Sequence, residues 1–242
     1  MKVKKLCILA ILLTILFSIV GCSKNNVNKN TVSFSDAKIY LYGEKHGIEK
    51  IMKKELQKWH EHYHKDGIRH LFIESPYFSG EFLNIWMKSD SDEILDALYD
   101  DLEGTKAHVP FYKTFYKTIK KECPETIFHG TDVGHQFFST GKRFIEYLEN
   151  NNLENTEQYK LTQQAIEQGE YFYDSQDDVY RENKMTENFI RAYDALGEIK
   201  IMGIYGGSHT GLFDMDYTGK VPTMANQLRE HYGDIIYSEN LY

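Results

Sequence analysis

Two short stretches carry residue types that could do chemistry together. Lys38-Ile39-Tyr40-Leu41-Tyr42-Gly43-Glu44-Lys45-His46-Gly47 is an apolar run ending in a glycine turn that presents a carboxylate and an imidazole. Ile201-Met202-Gly203-Ile204-Tyr205-Gly206-Gly207-Ser208-His209 repeats the pattern, so both read strand, then Tyr-Gly-x-x-His. One copy is explained by a strand-to-helix turn whose Glu44 favours the next helix N-terminus. Two copies are harder to explain that way. In an open α/β sheet, ligands bind beyond the carboxyl ends of the strands. His46 and His209 are therefore expected at one sheet edge if both strands run parallel. Glu44 with His46 then reads as a general base or a metal-ligand pair, with His209 completing the metal set.

Other residues fall at the same kind of place. Glu74 ends the apolar run 69–75, where a carboxylate is costly unless paired or protonated. Asp132 ends Thr126-Ile127-Phe128-His129-Gly130-Thr131-Asp132 in the same manner, with His135 three residues on. Arg181 opens a long amphipathic segment and reads either as part of a solvated charged face or as an oxyanion clamp reaching the strand ends. Among the 18 tyrosines, Tyr42 and Tyr205 stand out because each directly precedes a site glycine, which makes them candidates for holding a cofactor. His60, His62 and His64 fall at the end of the first helix and read as a polar helix end, without an enclosing apolar wall.

The elements that must position these groups alternate. Strands are expected at 39–42, 69–75, 126–132, 199–205 and 234–237. Helices are expected at 48–64, within 79–121, and at 141–148, 157–168, 177–196 and 223–232, the segment 177–196 being the longest of the three that precede the fourth strand. Residues 39–75 have the size of a βαβ unit. This alternation argues an α/β fold with a central, mostly parallel sheet flanked by helices. The helical block 79–121 is expected as an insertion over the carboxyl edge of the strands.

The first 37 residues read differently. Lys2, Lys4 and Lys5 precede the apolar run 6–20, which is short for a membrane span. Ile19-Val20-Gly21-Cys22 has the form of a lipobox. Residues 1–21 are thus expected to be a secretory signal, Cys22 the site of lipid attachment, and 22–37 a polar tether, leaving 38–242 as one domain. The location expected is extracytoplasmic, on a membrane through the lipid. Loss of the signal would make the remainder three charges more negative than the −8 of the whole chain. That acidity argues against nucleic acid as a partner. Once Cys7 and Cys22 are set aside, Cys123 has no partner for a disulfide, and a Cys-rich metal site is ruled out.

Gly43-Glu44-Lys45-His46, Phe72-Ile73-Glu74, Gly130-Thr131-Asp132, and Arg181-Glu182-Asn183-Lys184-Met185 leading to the strand before His209 together resemble the erythromycin esterase / ChaN-like / TIKI superfamily. The resemblance spans most of 38–215 and implies an α/β fold with a pocket at the strand ends. By position, His46, Glu74 and His209 match the shared site, with Glu44 and Arg181 beside them. The chemistry implied varies by branch: hydrolysis of an ester in the esterases, metal-dependent peptide cleavage in the TIKI type, haem binding by a lipoprotein in the ChaN type. The loop here is Gly-Glu-x-His, one residue shorter than in the esterases, and the expected lipid at Cys22 also suits ChaN. The expectation is a surface hydrolase of ester or peptide bonds, with a haem- or iron-binding lipoprotein as the alternative. A divalent metal or haem is the candidate cofactor, with metal-free action of His46 or Glu74 as the other case, and a small molecule or peptide is the expected partner.

Overall fold

The computed structural model describes residues 33–242. The expected signal and Cys22 lie outside the described residues. Five strands form one sheet: β1 (Ile39–Glu44), β2 (His70–Pro76), β3 (Ile127–Asp132), β4 (Ile201–Gly206) and β5 (Ile236–Asn240). Their order is β3-β2-β4-β1-β5, and every neighbouring pair is parallel. All five carboxyl ends therefore leave the sheet at one edge. The sequence suggests β1 and β2 as partners in one βαβ unit, but β4 lies between them, in register with Tyr42↔Ile204 on one side and Ile73↔Ile204 on the other.

Side chains alternate along the strands, so each strand supplies both faces. Ile39, Leu41, Phe72, Ile201 and Tyr205 join a core with Met185, Phe189 and Leu228. That core is roofed by α7 (Asp178–Asp194) and α8 (Met224–Tyr232). Tyr40, Tyr42, Leu71, Ile73, Phe128, Met202 and Ile204 pack on the other face against α1 (Glu49–Glu61), α2 (Tyr77–Met87), α3 (Glu93–Asp100), α4 (Phe111–Glu122), α5 (Lys142–Asn150) and their neighbours. The helical block expected within 79–121 is thus three helices, α2 to α4.

The helix starts follow capping chemistry. Thr156, Asp177 and Thr223 each accept the backbone N–H three residues on, opening α6 (Glu157–Ser175), α7 and α8. With 19 residues, α6 outruns α7 with 17, contrary to the expectation that 177–196 would be longer. Gly169 does not end α6, because its missing Cβ is where the backbone of Gly134 passes.

Two further differences matter. Residues 33–36 are exposed, but the end of the expected tether touches the domain: Ala37 is buried, and the Phe34 ring lies near Tyr40, His62 and Tyr237. His62, expected on a polar helix end, is buried. A π-helical turn, His62–Asp66, follows α1 and carries the ring inward. There Nδ1 donates to Asp66 (2.7 Å) and Nε2 accepts from the Tyr42 hydroxyl (3.0 Å), while burial pushes its proton affinity down.

Candidate active site

The central strand order brings the expected residues together. β1, β4 and β2 are side by side, so the loop bearing His46, the loop bearing His209 and the end of β2 bearing Glu74 meet at one place. The β2–β3 register shifts between Ile73 and Pro76, and this irregularity holds Glu74 and Ser75. A bulge of this kind re-aims a side chain at a strand end.

Glu74 is the hub. Its Oε2 accepts the Gly206 N–H at 2.5 Å, and its Oε1 accepts from Nη2 of Arg181 at 2.7 Å. The Nε2 atoms of His46 and His209 face the same Oε1, at 3.7 and 3.6 Å. Gly206 leaves room for this approach: a Cβ there would lie 3.2 Å from both Glu74 Oε2 and His46 Nε2 and would crowd them. Burial opposes ionisation of Glu74, but His209 and Arg181 outweigh it and hold the carboxyl below its usual range.

Each histidine has its own carboxylate behind it. His46 Nδ1 donates to Glu44 Oε1 at 2.5 Å, and His209 Nδ1 donates to Glu182 Oε2 at 2.5 Å. The second oxygen of Glu182 accepts the N–H of Met224 at the start of α8. The bond to Glu44 raises His46 to about 9 against the cost of burial, with Glu74 adding to the rise. Burial lowers His209, but Glu74 and Glu182 prevail and its proton affinity is raised. The two rings differ in access. The His46 side chain is 39% exposed and that of His209 only 8%, so His46 is the more accessible ring.

Arg181 is committed more than an oxyanion clamp would be. Its Nε and Nη2 donate to the two oxygens of Asp132 at 3.1 and 2.6 Å, besides the bond to Glu74. His135 Nε2 donates to Asp132 at 3.0 Å and its Nδ1 meets the Tyr173 hydroxyl at 2.8 Å. Burial resists the charge on Asp132, yet Arg181 and His135 keep it ionised far below the ordinary range. Arg181 thus chiefly fixes Glu74 and Asp132, and its Nη1 takes no part in those bonds.

The cleft beside this cluster has a volume of about 330 Å³. Pro76, Leu83, Leu98 and Leu102 make an apolar wall, and His46, Glu74, Asp132, His135, Tyr173 and Arg181 make the polar one.

Tyr42 and Tyr205 do not join the site. Both are fully buried, Tyr42 bonded to His62 and Tyr205 to Thr131 at 2.7 Å. Tyrosine precedes each glycine because strand alternation turns it into the core, away from the cleft. They cannot serve as haem ligands in this arrangement, and haem does not fit the residues named for it. The expected metal set of Glu44, His46 and His209 is not formed either: Glu44 occupies Nδ1 of His46 rather than sharing a common point with it. Among the described residues no three His, Cys, Asp or Glu side chains are grouped so as to hold a metal ion. His60 and His64 lie ring to ring at 4.2 Å, and His64 Nε2 meets the Glu122 carbonyl, away from the cluster.

No protein-family profile matches the chain, and no curated protein matches it by sequence. Solved structures do. An erythromycin esterase, EreC, as a mutant in its open conformation, superposes with a TM-score of 0.58 at 12% identity, over 85% of this chain and 70% of that one. A protein described as a succinoglycan biosynthesis protein gives 0.57 at 14%, over 84% of this chain and 65% of its own. The haem-binding ChaN of Campylobacter jejuni gives a looser 0.40 at 13%, over 86% of each chain. The class defined by sheet and helices is a parallel α/β protein with its polar cluster at the carboxyl edge. Within that class, the chain shares its fold with the EreC structure.

Proposed function

We propose that the protein is a hydrolase of carboxylic ester or peptide bonds, acting at the cleft between His46, Glu74 and Arg181. The observation that carries this reading is the convergence of two carboxylate-backed imidazoles on one ionised, buried carboxylate beside an open cavity. Pairs of groups whose surroundings push their proton affinities apart mark the acid and the base. Glu74 is held ionised and His46 is held protonated at neutral pH. Glu74 Oε1 then accepts a proton from an attacking water. Nε2 of His46 donates to the leaving oxygen or nitrogen. His209, fixed by Glu182, and Arg181 hold the site's charge, and Nη1 of Arg181 is the donor assigned to the oxyanion. The apolar wall of Leu83, Leu98 and Leu102 suits a substrate with a hydrophobic body.

EreC, which shares the fold, is an esterase, and this supports the hydrolytic reading over simple binding. We also infer that the chain is exported and anchored through lipid at Cys22. Labelled palmitate is expected on the full-length protein and not on a Cys22→Ala variant.

A screen of aryl and alkyl esters and of short peptides tests the activity. His46→Ala is expected to lower kcat by at least about a hundredfold, the usual size of a lost acid–base group. The pH profile of kcat/KM is expected to fall on the alkaline side near 9, as His46 gives up its proton. Full turnover by His46→Ala in that screen would overturn the assignment.

A further inference from the structure

Asp132, His135 and Tyr173 line the cleft together with His46 and Glu74, yet the steps assigned above leave His135 and Tyr173 idle. Asp132 ends β3, His135 follows in the loop, and Tyr173 lies in the last turn of α6. Two glycines bring them together. A Cβ on Gly134 would strike the carbonyl oxygen of Ala165, and a Cβ on Gly169 would strike that of Gly134, so the loop and helix backbones press together there. Tyr173 is one helical turn beyond Gly169, and His135 directly follows Gly134. The close approach therefore sets the reach between hydroxyl and imidazole.

The hydrogen bonds run in one direction. Asp132 is ionised and can only accept, so Nε2 of His135 carries a proton toward it at 3.0 Å. Arg181 and the Val133 N–H also donate to Asp132 and keep it in place. Nδ1 of the neutral ring is then an acceptor, and the Tyr173 hydroxyl donates to it at 2.8 Å. Burial and Asp132 push the proton affinity of the phenol up, so Tyr173 stays protonated until a base takes the proton. A hydroxyl within reach of a base that is itself oriented by a carboxylate is the arrangement of an activated nucleophile. Access rises along the three: the Asp132 side chain is fully buried, His135 is half-buried, and Tyr173 is 46% exposed.

We propose that Tyr173 is a second reactive group of this cleft, a nucleophile that takes an acyl group from an aryl ester while His135, held by Asp132, takes its proton. Tyr173 Oη bonds to the acyl carbon, its proton passes to Nδ1 of His135, and the bond to the leaving oxygen breaks. The departing phenol leaves with that proton. A tyrosine, with an ordinary pKa of about 10, displaces readily only groups about as acidic as itself. The donor class is therefore an aryl ester rather than an alkyl ester or a peptide. The product is an acyl group carried on Tyr173. Water activated at Glu74 frees the acid and returns the phenol, and for this second half the inference rests on the hydrolytic reading.

The test treats the folded protein with 4-nitrophenyl dimethylcarbamate, an aryl donor whose group on a phenol resists water, and follows each tyrosine by peptide mass mapping. The measurement stops before Glu74 is needed. A chain that is carbamoylated at Tyr173 but turns over no ester loses the hydrolytic reading, and one that turns over esters with Tyr173 unmodified loses this one. Tyr171 is the internal control: it lies in the same helix at 50% exposed, and its ring packs on Tyr180 rather than on a histidine. Tyr173 is expected to react at least about a hundredfold faster than Tyr171, the usual size of a general base's contribution. His135→Gln, which can still donate to Asp132, should bring Tyr173 down to the rate of Tyr171. If His135→Gln does not fold, the comparison of the two tyrosines in the wild type decides alone. No modification of Tyr173, equal rates at Tyr173 and Tyr171, or an undiminished rate at Tyr173 in folded His135→Gln would overturn the proposal.

Discussion

Glu74 lies 7% exposed among an arginine and two imidazoles, and it is a carboxylate that all three face. Removing one member of a buried charge set leaves the others uncompensated, at about 3–5 kcal/mol. Glu74→Gln is therefore expected to lower stability by that amount in urea unfolding as well as abolishing turnover. His46→Ala, at a more accessible side chain, should cost less than Glu74→Gln in the same measurement. The comparison separates the structural duty of Glu74 from the chemical one. His46, Glu74, Arg181 and His209 were legible because each follows a strand end or opens a helix in a short motif. Glu182 was not, although it orients His209. It sits in the charged run Arg181-Glu182-Asn183-Lys184, which reads as a solvated face. Its spacing to Met185, Phe189 and Tyr193 places it on the buried side of α7, and that periodicity was the available signal.

At the scale of elements, helices and strands were readable from periodicity and caps, and their ends less so. The expected helix stops before Gly169, but Gly169 lies inside α6, where the loop after β3 passes close by at Gly134. Gly169→Ala forces those backbones apart and should cost about 1–3 kcal/mol in urea unfolding, as overpacking does. Asp177 caps α7, the helix that delivers Arg181, Glu182 and Asn188 to the site region. Asp177→Ala should cost about 1 kcal/mol in unfolding and reduce turnover, because the first turn of α7 holds Arg181. The two π-helical turns, His62–Asp66 and Phe137–Gly141, leave no trace in an apolar pattern, and the first decides that His62 points inward.

Across the whole molecule, the site edge is ionic and the other end of β2 holds a neutral pair. His70 and His129 meet ring to ring through a 2.8 Å hydrogen bond. Burial, with His70 alongside, pushes His129 down from 6.5 to about 3. The unfolded chain therefore takes up this proton first. The stability tied to His129 is complete above 6.5 and is lost as pH falls from there toward about 3. Melting curves of the wild type should show this acid slope, and His129→Asn should flatten it. The parallel sheet was legible from the alternation of elements, but its strand order was not, since nothing local in β1 or β2 says that a strand arriving far later in the chain will separate them.

That late-arriving middle strand has a consequence for how the polypeptide matures. Before β4 is synthesised, β1 has no neighbour to pair with, and only β2 and β3 can join. A chain truncated at residue 200 is thus a loose precursor that a protease should digest readily. Commitment to the native state waits until the stretch leading to His209 has emerged, so the same segment that supplies a reactive imidazole also locks the two halves of the sheet together.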